Sequence, residues 1–397
     1  MIPLDEALSA VRARSLPLPQ EEVPLAQAAG RILARPVTAL RDQPASDISM
    51  MDGYALAAAG AGGPLRVVVE VAAGDAPRSQ PLLTGEAARI FTGAPVPAGA
   101  DCVIMQESCL REGETVRVQV PAKPGMHVRK RGEELQAGAA ALPRGTMLRA
   151  AELSLCAACG QSTIFAHRRP RVALLSTGSE LVPLGTPPEP GKLIETNSLG
   201  LRALCAEAGA EAVWLGIVQD DVAEIASRLR GVDADVVITT GGASVGDHDH
   251  ARESLQSLGV ELIFHTVAIR PGKPVLFGAG SGRLFFGLPG NPAAATLGFE
   301  LFVRLALRLL VGDPNPARTQ ARARLRGTIS RVPKQTYFPR GRATLEGPLL
   351  MFIPGGQQSS MQISSWSGAN AVAVVPPGEG KIDDGTELDV LLTGPLD

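Results

Sequence analysis

Apolar residues recur at helical spacing at the start of the chain, at Leu4, Ala7, Leu8 and Val11, and again at Leu25, Ala28 and Ile32. The first forty residues therefore predict two short amphipathic helices. From about Val37 the texture changes to short β-like runs separated by turns, at 66–71, 88–91, 102–105 and 115–120. Such even spacing predicts a small antiparallel domain. Helical texture returns from Arg149 to Gly160.

Between about 171 and 311 the rhythm becomes strand, loop, helix. Strands are predicted at 171–175, 211–215, 235–239 and 283–286, and helices around 198–208, 222–229 and 292–310. Nearly continuous apolar strands alternating with helices argue for a parallel sheet covered on both faces. The most apolar long segment, 293–311, carries Glu300, Arg304 and Arg308 at intervals of four. That spacing places one polar stripe on a buried helix and argues against a membrane span. Gly312-Asp313-Pro314-Asn315-Pro316 reads as a linker. Short alternating strands then return, as at 371–375 and 387–392, and predict a small β-barrel or sandwich.

At 397 residues the chain is too long for one core, and two to four domains are expected. With 45% hydrophobic and 20% charged residues it has the composition of an ordinary soluble globular protein. A net charge of −2 offers polyanions no bulk attraction, and an aromatic share of 4% leaves little for base stacking. Nucleic-acid binding is thus not expected, and Arg129-Lys130-Arg131 reads as a solvated loop. The amino terminus has neither a basic segment nor a long apolar stretch, so a cytoplasmic protein without a signal peptide is expected. Cys156 and Cys159 form a C-x-x-C, but they lie in an apolar helical run with no second ligand pair. They are expected to pack in a core.

In an open parallel sheet, ligands bind beyond the carboxyl ends of the strands. Three predicted strand ends carry unusual loops: Ser176-Thr177-Gly178-Ser179-Glu180, the glycine-rich run 241–246, and Gly287-Leu288-Pro289-Gly290-Asn291-Pro292. Small residues there let backbone N–H groups approach an anion, so the region should hold a phosphate-like or oxyanion ligand. Carboxylates sit beside these loops at Glu180, Asp220, Asp221, Asp247 and Asp249. Like charges repel, and a divalent cation between carboxylates and phosphate would resolve the conflict. Arg270 and Lys273 supply positive charge. Asp247-His248-Asp249-His250 also has transition-metal ligand types, but four sequence neighbours cannot all point one way.

At these residues the sequence resembles the MoeA family, the molybdopterin molybdenumtransferases, whose eukaryotic counterpart is the E domain of gephyrin. The matching motifs run along nearly the whole chain. They include Met51-Asp52-Gly53-Tyr54-Ala55, Thr92-Gly93-Ala94-Pro95-Val96-Pro97, Gly99-Ala100-Asp101 with Met105-Gln106-Glu107, and Arg129 with Gly132-Glu133-Glu134. The three loops above, Thr196-Asn197, Arg270-Pro271-Gly272-Lys273-Pro274, and Ser365 with Ala369-Asn370 complete the set.

The resemblance implies a multidomain α/β plus β fold in an elongated homodimer. A linker domain would comprise 1–37 with 134–168, interrupted by an inserted β-rich domain at 38–133. A MogA-like α/β domain would span 169–316 and a β-barrel 317–397. The implied reaction inserts molybdate into adenylylated molybdopterin, with metal-dependent cleavage of the pyrophosphate bond and release of AMP. By motif, Glu180, Asp220 or Asp221, and Asp249 would line the pterin-nucleotide and metal site, with Glu180, Asp220 and Asp249 holding Mg2+ or another divalent cation. Ser176, Thr177, Gly178, Asn197, Gly241, Gly242, Ser244, Arg270 and Lys273, with Pro289 and Pro292, would bind the substrates. Molybdate, a dianion, is expected near Arg270 and the serines. Asp52 and Thr92, with Arg129 and Glu134, would complete the cleft from the partner subunit.

Two positions depart from the family pattern. His265, implied among the substrate-binding residues, stands where many members carry Lys, and Glu134 where Asp is frequent. Two other functions compete. Pterin adenylylation would need the α/β domain alone, and a non-catalytic peptide-binding scaffold would not need the carboxylates.

Overall fold

The computed structural model describes residues 1–187, 189–242 and 250–396. The chain divides into two compact units, one of Met1–Glu21 with Ala166–Asp397 and the other of Glu22–Phe165.

The first unit opens with helix α1 (Leu4–Arg14), whose Ala7 and Val11 are wholly buried, as the spacing predicts. The α/β part follows as β1 (Arg171–Thr177), α2 (Asn197–Glu207), β2 (Glu211–Val218), α3 (Val222–Leu229), β3 (Val236–Thr240), α4 (His250–Ser257), β4 (Glu261–Phe264), β5 (Leu276–Gly280) and β6 (Arg283–Leu288). Helix α5 (Pro292–Gly298) runs through a π-helical turn (Phe299–Val303) into α6 (Arg304–Leu310). The sheet order is β2-β1-β3-β6-β5-β4. The first four strands are parallel, and β5 and β4 extend the sheet antiparallel. Strands β5 and β4 escape the sequence pattern because β5 (Leu-Phe-Gly-Ala-Gly) is glycine-broken and β4 is only four residues long.

Strand periodicity explains the two-sided core. In β1, Val172 and Leu174 pack with Leu201, Leu297, Phe302 and α1 on one face. Ala173 and Leu175 pack with Ile225, Leu229 and Leu255 on the other. Of the polar stripe predicted on the long helix, Glu300 and Arg308 are buried and Arg304 is partly so. Glu300 accepts from Nε and Nη2 of Arg318 at 2.7 and 2.8 Å, and Arg308 pairs with Asp313 at 2.6 Å. Burial pulls the pKa of Arg304, between them, below the ordinary arginine value.

The carboxyl-terminal strands close a five-stranded barrel in the order Gln320–Leu325, Leu349–Pro354, Arg340–Glu346, Ala371–Val374 and Glu387–Leu392. Leu325, Ala343, Phe352, Ala373 and Val390 fill it. Of the two expected forms, barrel and sandwich, it is the barrel.

The second unit holds a six-stranded sheet, in the order Cys102–Met105, Gly53–Leu56, Glu86–Ile90, Leu65–Val71, Thr115–Val118 and Cys109–Glu112. The sheet is mixed, not antiparallel as expected: Leu65–Val71 and Glu86–Ile90 run parallel. Residues 72–85 are a long enough crossover to bring the chain back to the same end. The second predicted amphipathic helix is also absent. Only a 3-10 turn, Leu25–Gln27, forms there, while Gly30 adopts φ 73° and Ile32 bridges Met147. Ala28 and Ile32 are buried all the same, so their spacing recorded burial and not a helix. Cys156 and Cys159 are fully buried on and beside helix Ala150–Ala158, and burial raises both thiol pKa values. They pack as expected.

Candidate active site

The three loops singled out in the sequence begin at the carboxyl ends of neighbouring strands in the middle of the sheet. Ser176 on β1 pairs with Thr240 on β3, which pairs with Leu288 on β6. Backbone bonds tie the loops: Gly178 N–H donates to Val218 O at 3.1 Å, and Gly241 N–H to Leu288 O at 3.2 Å. Gly241 has φ 89°, and a Cβ there would lie 2.1 Å from Thr177 O. Only glycine lets the second loop pass this close over the first.

Together the loops enclose a cavity of about 500 Å³. Its lining includes the small or hydroxylated Thr177, Thr240, Gly241 and Gly242, the polar Glu180, Glu195 and Asn197, Pro289 to Pro292, and the apolar Leu181, Leu193 and Ile194. The Thr177 hydroxyl is buried without a hydrogen-bond partner, and so is Oδ1 of Asp220. Buried polar atoms are normally paired, so both stand out; Thr177 lines the cavity, whereas Asp220 lines neither it nor the second cavity beside it.

A second cavity of about 600 Å³ adjoins the first and shares Pro274, Pro289 and Asn291 with it. Arg270 and Lys273 line it, faced by Gln335, Gln358, Ser359 and Ser360. Behind this wall Arg340 is wholly buried. Its Nε donates to Ser365 Oγ and its Nη2 to Ser359 O, each at 3.1 Å, while Nη1 has no partner. Burial lowers its pKa. The second cavity is cationic, with neutral donors opposite the charges.

The structure separates the acidic neighbours Asp220 and Asp221. Asp221 is the N-cap of α3 and accepts from Glu224 N at 2.8 Å, so its carboxylate is committed to the helix. Asp220 keeps the unpartnered oxygen. The carboxylate of Glu180 folds over Gly178, where a Cβ would lie 2.7 Å from Oε2. These hard oxygen donors suit a cation such as Mg2+, which commonly takes one or two protein carboxylates and leaves other positions to water and phosphate. Among the described residues no group of three or more His, Cys, Asp or Glu could hold a metal by itself. Ser244 and Asp249, with Asp247 and His248, lie outside the described residues.

Two expectations are corrected. Ser176 is 1% exposed and donates its only hydroxyl hydrogen to Glu195 Oε1 at 3.0 Å, while accepting from Trp214 Nε1 at 3.2 Å. It has no proton left for a substrate oxygen. His265 is exposed and lines neither cavity, so its imidazole is no wall of the anion pocket. By contrast Thr177, Asn197, Gly241, Gly242, Pro289 and Pro292 line the first cavity, and Arg270 and Lys273 the second. Asn197 Nδ2 also donates to Gly290 O at 2.8 Å, tying α2 to the third loop.

In the second unit, Asp52 Oδ1 accepts from both the N–H and the hydroxyl of Thr92, each at 2.8 Å. The Thr92 N–H is the largest cause holding the Asp52 pKa below the ordinary carboxylate value. Arg129 and Glu134 form an ion pair at 2.7 Å. The extra methylene of Glu134 reaches its partner without difficulty.

Sequence reasoning missed Glu195, Gln358, Ser359, Ser360 and Arg340. Glu195 directly precedes the Thr196-Asn197 pair, and a carboxylate just before a helix is a readable capping signal. The others sit in the barrel, far along the chain, and no local signal joins them to Arg270.

Family models match three stretches: the MoeA N-terminal region (domain I and II) at residues 2–160, a probable molybdopterin binding domain at 173–309, and the MoeA C-terminal region (domain IV) at 322–393. A molybdopterin molybdenumtransferase of a Nostoc species is 38% identical over 388 residues, covering 94% of this chain and 88% of that protein. Molybdopterin molybdenumtransferase 2 of Mycobacterium tuberculosis is 36% identical over 383 residues, covering 93% and 94%. The crystal structure of a molybdopterin biosynthesis MoeA protein from Pyrococcus horikosii superposes with a TM-score of 0.87 at 31% identity, over 100% of both chains.

Proposed function

This chain belongs to the MoeA family, and on that premise we propose that it inserts molybdate into adenylylated molybdopterin, releasing AMP. The observation that carries this reading is the pair of adjoining cavities with different chemistry. A pterin nucleotide needs an apolar wall for its heterocycles and room for a phosphate chain. The first cavity offers Leu181, Leu193 and Ile194 for the one and the small residues Gly241 and Gly242 for the other. Molybdate needs cations and hydrogen-bond donors, which Arg270, Lys273, Ser359 and Ser360 supply next door. This replaces Ser176 as the serine contribution.

Thr177 and Asn197 would position the nucleotide, and Gly241 and Gly242 would let its phosphates approach the backbone. Glu180 and Asp220, with Asp249, would hold a divalent cation, in our reading Mg2+, which offsets charge on the pyrophosphate. In our reading Asp220 would also orient the attacking water. In a homodimer the Asp52–Thr92 and Arg129–Glu134 groups would come from the second copy. No helix among the described residues is long and apolar enough to cross a membrane, and we place the reaction in the cytoplasm.

The test is turnover of adenylylated molybdopterin with and without molybdate and Mg2+, in wild type and Asp220→Asn. Molybdate-dependent AMP release that collapses in the variant supports the reading. AMP formation that ignores molybdate would sink it.

A further inference from the structure

Asn291 stands where the two cavities meet. It is the only residue with a polar side chain among the three that line both, the others being Pro274 and Pro289. It is also the N-cap residue of α5, yet its side chain makes no capping bond. Asparagine is among the best N-caps, so its diversion requires a reason. The helix end is satisfied otherwise: Ala293 N–H donates to Ser360 O at 3.1 Å, and Ala295 N–H to the backbone oxygen of Asn291 at 2.9 Å. The amide of Asn291 instead donates through Nδ2 to Ser360 Oγ at 3.2 Å. Ser360 lines only the cationic cavity of the two.

That bond has a chemical consequence. A serine hydroxyl has one hydrogen and two lone pairs. With one lone pair taken by Asn291, the Ser360 hydrogen is free to point at an oxyanion beside Arg270 and Lys273. Nδ2 retains a second hydrogen, which an acceptor in the first cavity can take. One side chain thus contacts, directly or through one hydroxyl, whatever occupies either chamber.

We propose that Asn291 is a positioning residue that couples the two cavities, so that an oxyanion in the cationic cavity fixes the Asn291 amide in the orientation a nucleotide phosphate needs. The inference rests on the functional reading above, with molybdate and a nucleoside monophosphate as the two occupants. Two anions in adjoining chambers repel, so without this link each ligand weakens the other. With it, molybdate favours nucleotide binding. By linkage the effect is reciprocal.

The test is calorimetric titration of the full-length protein with AMP, without and with saturating molybdate, in wild type, Asn291→Ala and Ser360→Ala. The readout is the ratio of the two AMP dissociation constants, which general misfolding does not alter selectively. We expect molybdate to tighten AMP binding in wild type, and the ratio to shift by about fivefold or more toward antagonism in both variants. Asn291→Asp, which keeps the size but replaces the donor with a charge, should not restore it. A ratio unchanged by Asn291→Ala and Ser360→Ala overturns the coupling while leaving the two sites standing. If wild type binds neither ligand, the assignment of the cavities falls and the coupling with it. Should Asn291→Ala not fold, Ser360→Ala tests the same bond from its other end.

Discussion

Ser176 gives its hydroxyl hydrogen to Glu195 across 3.0 Å, beside the first cavity. Glu195 also accepts from the N–H of Ser198 at 2.9 Å and its hydroxyl at 2.5 Å, and is itself only 6% exposed. The carboxylate thereby joins the end of β1 to the start of α2. Removing it as Glu195→Ala leaves three buried donors without an acceptor. We expect a loss of about 2 kcal/mol or more in unfolding free energy, measured by denaturant titration. A variant as stable as wild type would show that the network does not hold these elements together.

Gly241 sets the approach of the second loop to the first. Gly241→Ala meets both a left-handed backbone and a clash 2.1 Å from Thr177 O. The loop must move, and we expect AMP release to fall on the order of 100-fold while the far-ultraviolet circular dichroism is preserved. Activity within a few-fold of wild type would mean that this approach does not position the reaction.

Asp220 and Asp221 should behave differently although they are adjacent. Asp221→Ala removes an N-cap and should cost about 1 kcal/mol of stability with no change in Mg2+ requirement. Asp220→Asn should leave stability near wild type and raise the Mg2+ concentration for half-maximal activity by roughly tenfold or more, as one charge is lost close to the cation. Identical Mg2+ titrations for the two variants would remove Asp220 from the metal site.

Arg270→Ala and Lys273→Ala should each raise the molybdate concentration needed for half-maximal turnover by about tenfold, consistent with losing a charge-assisted contact. The KM for adenylylated molybdopterin should change far less. Steady-state kinetics with each substrate varied in turn distinguishes the two; equal effects on both would deny the cavities separate occupants.

The Asp52–Thr92 link has a defined pH window. The folded pKa of Asp52 lies below its ordinary value, so the carboxylate contributes its stabilisation fully above the unfolded pKa, about 3.9. It loses that contribution only as pH falls through the lower folded pKa. The amide resonance of Thr92 should therefore hold steady from neutral pH to about 4 and move below it. A midpoint at or above the ordinary value would contradict the link.

What the sequence determined by itself was local. Nearly continuous apolar runs in 171–175 and 235–239 specify strands buried on both faces, because only such strands can bury every side chain. The order and spacing of motifs along nearly the whole chain, from Met51 to Asn370, were also enough to place it in its family. Tertiary structure decided what depends on partners distant in sequence. Leu25, Ala28 and Ile32 have helical spacing, yet Gly30 turns the chain and Ile32 bridges Met147, so burial was achieved without a helix. Ser176 reads as an anion ligand in its loop, but Glu195 and Trp214 occupy its hydroxyl. Asp220 and Asp221 are chemically identical in sequence, and only the start of α3 assigns one to the helix and leaves the other unsatisfied. Ser359 and Ser360 meet Arg270 because the barrel folds back on the start of α5. A hydrogen bond is specific to distances of about 3 Å, and chain separation carries no information about which groups will come that close.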